Sequence, residues 1–221
     1  MYQIKQLFNN QFKTFTLISV SMLLSLVILM IRIKLSHSIF YLFLVWNLFL
    51  AFIPFAITSY LMQKQKNNKL GLFMWFSIWL VFLPNAPYII TDLIHLRLNT
   101  NGYLWLDILV VSAFACNGIL LFYLSVLDMK CILQNHFKKH TVNYTVLFIC
   151  FLSSFGVYLG RFLRYNSWEI LSNPKYLLLD IINIITKPQF NKEAWLFTLL
   201  FGLFLSIGFW VFKNLIVYQK K

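Results

Sequence analysis

Acidic residues are scarce in this chain: six Asp and Glu stand among 221 residues, and charged residues of both signs make up only 11%. With 60% hydrophobic residues and a mean hydropathy of +0.74, there is too much apolar surface for a soluble domain of this size to hide. Lipid must then be the solvent for much of it. Cysteine is also sparse. Cys116, Cys131 and Cys150 show no paired spacing, which argues against a disulfide framework or a CxxC metal or redox site; as free thiols they pack like small apolar side chains. Nucleophile elbow, P-loop, dinucleotide fingerprint and HExxH are all missing, which removes most enzyme classes that local motifs reveal. There is no internal repeat and no low-complexity tract.

What the chain does have is basic charge, 19 Lys and Arg for a formal +13. No basic helix or soluble module gathers these residues, which points away from nucleic acid. They cluster between apolar runs, where they act as topology signals and contacts for anionic lipid. Six runs reach the ~20 residues that a helix needs to span the hydrocarbon core. They cover about 14–33, 39–62, 70–90, 106–127, 141–160 and 195–217. Unbroken runs without alternation indicate helices rather than barrel strands. The expectation is one all-α membrane domain over residues 1–221, a bundle of about six transmembrane helices with membrane lipids around it. The first run is longer than a signal-peptide core and lacks a small-x-small cleavage site, so it reads as a retained span. With six spans, eleven Lys and Arg fall on one side and eight on the other. The dense short basic loops "QKQKNNK" and "DMKCILQNHFKKH" place that first side, with both termini, in the cytoplasm. Asp92, Asp107, Glu169, Asp180 and Glu193 then lie outside, with Trp105, Trp168 and Trp195 at the outer boundary and Asp128 inside.

The third span breaks at "FLPNAPYIITDLIHLR". Leu70–Leu83 is only 14 residues, about 21 Å of helix against a core of ~30 Å. The PNAP break therefore falls within membrane depth. Pro84 and Pro87 remove backbone donors, and the freed carbonyls must face protein or water rather than lipid. Asn85 is a natural partner for them. Beyond the break, Asp92, His95 and Asn99 share one face of an expected kinked or re-entrant helix. In the plainer reading, Thr91 or Asp92 caps a short interfacial helix and His95 sits at a wet surface. In the functional reading, polar residues at a broken span line a substrate or ion site.

A second polar segment, "SSFGVYLGRFLRYNSWE", emerges on the same side. Ser153, Gly156 and Gly160 allow close approach of another helix, and Arg161 and Arg164 follow. The combined candidate set is Asn85, Tyr88, Asp92, His95, Arg97, Asp107, Arg161, Arg164, Asn166, Trp168 and Glu169. Paired arginines suit phosphate or carboxylate, with Asn85, Tyr88, Asn166 and Trp168 completing a binding site. Asp92, His95 and Glu169 suit acid–base catalysis, and Asp92 with His95 suits a divalent metal. Alternatively, Arg161 and Arg164 pair with Asp107 and Glu169 only to hold helices together. Elsewhere, Asn117 in "SAFACNG" is placed for an interhelical hydrogen bond. His136 and His140 have ligand spacing without a third ligand, and residues 173–187 read as an interfacial helix.

The segments "FLPNAPYIITDLIHL" and "GRFLRYNSWEI" resemble the two signature stretches of the Domain of Unknown Function 1361 family. The resemblance runs from the second span to the end and implies a multi-pass protein of the bacterial plasma membrane, without supplying a reaction or a catalytic residue. The residues leave three functions open. One is an outward-facing site that binds or processes an anionic headgroup or lipid-linked substrate. The others are a small permease passing Asn85 and Asn117, and an assembly subunit.

Overall fold

A computed structural model describes the backbone of residues 2–64, 68–98, 103–165 and 174–218, and the side chains of 13–64, 68–96, 103–165 and 174–216. Every element among them is helical. Helices α1 (Tyr2–Ser36), α2 (Phe43–Gln63) and α3 (Lys69–Phe82) are followed by the one-turn α4 (Asn85–Tyr88) and a 3₁₀ segment, Ile89–Leu98. Then come α5 (Leu104–Gln134), α6 (Lys139–Arg161), α7 (Pro174–Thr186) and α8 (Lys192–Tyr218). Six stretches are long and apolar enough to cross a membrane: Lys13–Ser36, Phe40–Gln63, Lys69–Leu96, Leu104–Gln134, Lys139–Arg161 and Lys192–Ile216. Each contains one of the expected runs or overlaps it to within a few residues.

Helix α5 is the hub, packing on α1, α2, α4 and α6, while α8 packs chiefly on α6. The core is apolar and aromatic, with Trp79, Phe114 and Phe122 fully buried. Several of its polar groups find partners across helices, where no water competes. Trp79 donates its indole N–H to Ser125 Oγ at 2.7 Å. Asn117, as expected, bridges helices, donating to Ser25 Oγ at 2.8 Å and to the Ala113 carbonyl at 3.0 Å. Arg32, near the end of α1, donates to the Asp107 carboxylate at 2.8 Å and to the Ser38 carbonyl at 2.7 Å. Its guanidinium lies over the Tyr41 ring, 4.6 Å from the centroid.

The PNAP break shows how two prolines rewire a helix. Pro87 has no N–H for the Leu83 carbonyl, and the Ala86 N–H takes that acceptor at 3.2 Å. This vacates the Phe82 carbonyl, and the Asn85 side-chain amide donates to it at 2.9 Å. The expected role of Asn85 is thus observed. The turn is clamped between two glycines. A Cβ on Gly118 of α5 would run into the Ala86 carbonyl oxygen, and one on Gly156 of α6 would lie 2.6 Å from Pro84 Cγ. The small stripe on α6 therefore receives the broken segment, not a full helix.

Candidate functional site

Past the turn, the chain departs from the expected α-helix and runs as 3₁₀ over ten residues. Such runs rarely exceed 3–4 residues, and at three residues per turn positions i and i+3 eclipse. Asp92 and His95 consequently stack on one edge, pointing at α6. Asp92 is 1% exposed, yet it is not a helix cap. Its carboxylate accepts from Asn47 Nδ2 of α2 at 3.0 Å and from Arg161 Nη2 at the end of α6.

Arg161 is the centre of the cluster. Its Nε–H donates to Thr91 Oγ1 at 2.7 Å, and Thr91 in turn donates to the Tyr88 carbonyl at 2.6 Å. Its Nη1 contacts His95 Nε2 at 3.2 Å, and its Cζ lies 4.2 Å from the centre of the Tyr88 ring. Because a guanidinium only donates, His95 Nε2 must accept, which leaves the proton of the neutral ring on Nδ1. That atom is buried and has no partner among the described residues; the ring is flanked edge-on by Phe40 and Phe43. Among the described residues, three of the five N–H donors of Arg161 are engaged, leaving two without a partner there. His95 and Asp92 are 3.9 Å apart, and Arg161 donates to both. No three His, Cys, Asp or Glu side chains gather among the described residues.

Beside the cluster lies a cavity of about 650 Å³ bounded by α2, α3, α4, α6, α7 and α8. Its walls are largely apolar and run along α6 from Phe148 to Gly160, about 18 Å at 1.5 Å per residue. Its polar lining is concentrated in Asn47, Asn85, Tyr88 and Tyr165. Two of these also belong to the cluster, Asn47 as donor to Asp92 and Tyr88 as platform for Arg161.

The candidate residues thus divide. Tyr88, Asp92, His95 and Arg161 come together, while Asn85 lines the adjoining cavity. Arg164 separates from Arg161: it is exposed in a left-handed conformation (φ 63°), a turn that lets the Tyr165 N–H reach the Leu159 carbonyl at 3.1 Å. Tyr165 then donates its hydroxyl to Asp180 of α7 at 2.7 Å. Asp107 belongs to the Arg32 pair, not to Arg161 or Arg164. Asn99, Asn166, Trp168 and Glu169, and the side chain of Arg97, lie outside the described residues. Asn47 and Thr91 were not singled out as site residues. An amide inside the apolar "LVWNLFL" was the available signal for Asn47.

No curated protein and no solved structure matches the chain. A family model described as "Protein of unknown function (DUF1361)" matches residues 46–207, which takes in the break, the 3₁₀ segment and the end of α6. The chain is a multi-pass membrane protein by its helices, and by this match it belongs to the DUF1361 family.

Proposed function

We propose that the protein holds an anionic amphiphile of the bilayer, its chain in the 650 Å³ cavity and its headgroup at the cluster around Arg161. The observation that carries this reading is the sharing of Asn47 and Tyr88 between an apolar cavity and a buried ion pair. A cavity at spanning depth is filled by an alkyl chain at little desolvation cost. The two uncommitted N–H groups of Arg161 and the unmet Nδ1–H of His95 are donors awaiting an oxygen. His95 already accepts from Arg161, so the observed arrangement favours recognition; His95 becomes a base only after the guanidinium moves. On this reading the site opens to the outer face of the plasma membrane, as the basic loops imply.

The test is photo-crosslinking in nanodiscs with a diazirine-tailed anionic phospholipid, mapping adducts by peptide. The reading expects adducts on α6 between Phe148 and Gly160, lost when Leu152→Trp fills the cavity. Adducts spread evenly around the bundle and unchanged by Leu152→Trp would sink it.

A further inference from the structure

A second cavity, of about 340 Å³, lies toward the opposite end of the bundle between α6 and α8. Asn143, Ser206 and Lys213 are its polar lining, and Leu147 and Trp210, both exposed, form its outer wall. Between Lys192 and Lys213 α8 rises about 32 Å, one hydrocarbon thickness. Lys213 therefore sits at the far interface, away from the Arg161 cluster. Behind it Lys130 of α5 is only 6% exposed, and the positive charges that bear on its amine are those of Lys213 and Lys139. No carboxylate pairs with Lys130 or Lys213 among the described residues. Amines drawn together without an acid are a net positive pocket, and burial without a counter-charge is costly. An anion would remove that cost.

We propose that this pocket binds the phosphate of an anionic membrane phospholipid on Lys213, with Lys130 adding positive charge behind it and the Asn143 amide as a further donor. The source is a lipid rather than a soluble phosphate because the outer wall is Leu147 and Trp210, apolar side chains on two spanning helices. An acyl chain lies along that wall while the headgroup reaches the lysines, as in other basic pockets between transmembrane helices. The inference is independent of the amphiphile site at the other face, with which it shares no residue.

The experiment is native mass spectrometry of the full chain in detergent, titrated with phosphatidylglycerol, with phosphatidylcholine and glycerol 3-phosphate as separate arms. In a Leu152→Trp background, which fills the cavity at the other face, the chain should retain one phosphatidylglycerol beyond the phosphatidylcholine level. Lys213→Gln combined with Lys130→Met should weaken that adduct roughly tenfold, as expected for loss of charge-assisted hydrogen bonds. Leu147→Trp, which keeps both lysines, should weaken it by blocking the chain, so the result does not hang on one variant folding. Equal adducts in the Leu152→Trp background with and without the pocket substitutions would overturn the proposal. So would displacement by equimolar glycerol 3-phosphate, which would mark a soluble-anion site.

Discussion

Removing Arg161 tests the buried ion pair most directly. Arg161→Met keeps the length and apolar stem of the side chain but deletes three hydrogen bonds and the contact with Tyr88. Its chief effect is on what remains: the Asp92 side chain is 1% exposed and would keep only the Asn47 amide. Stranding one partner of a buried pair costs about 3–5 kcal/mol. Asp92→Asn is gentler, because Arg161 keeps Thr91 and 12% side-chain exposure, and losing one charged hydrogen bond costs about 1.5–3 kcal/mol. The double variant Arg161→Met/Asp92→Asn strands no charge. It should recover about 2 kcal/mol relative to the sum of the singles, within the range of coupling for contacting residues. Unfolding by sodium dodecyl sulfate in mixed micelles, followed by tryptophan fluorescence, measures all three. Additive losses within about 0.5 kcal/mol would refute the argument, showing that Asp92 is solvated or neutral without Arg161.

Gly118→Ala should cost about 1–3 kcal/mol, because the new methyl meets the Ala86 carbonyl, which is backbone and has little room to yield. Gly71→Ala, with nothing within 4 Å of the added Cβ, should instead raise stability by about 0.5–1 kcal/mol in the same assay. Arg32→Met should destabilise by about 3–5 kcal/mol through Asp107, with no effect on lipid crosslinking at α6. In a cysteine-free background, a membrane-impermeant maleimide should label Tyr176→Cys in intact cells and spare Lys138→Cys; the reverse pattern would invert the proposed orientation.

The helices were readable because apolar runs in this chain are long and their ends are marked by Lys, Pro or Asn. The break was readable for a covalent reason, since Pro84 and Pro87 cannot donate wherever they sit. The 3₁₀ continuation was not. Asp92 and His95 lie three apart, a spacing that fits either helix type, and the choice depends on how the turn seats against Gly118 and Gly156. Pairing was the least readable level. Arg32 stands at the very end of the first apolar run with no acidic partner nearby in sequence, yet it turns inward to an aspartate 75 positions away. Arg161 and Arg164 looked like one anion clamp, but a single left-handed residue after the helix end sends Arg164 outward.

The pairing of Arg161 with Asp92 also bears on how the membrane voltage acts on the protein. A single charge moved through the whole field gains or loses about 2.3 kcal/mol per 100 mV. Asp92 and Arg161 touch, so they sit at nearly one depth and their electrical work cancels. Arg32 and Asp107, 2.8 Å apart, cancel in the same way. The Arg161–Asp92 pair therefore gives the membrane voltage almost no net charge to act on. On the proposed reading, an anion bound there would add a net charge at that depth, and its occupancy would follow the voltage.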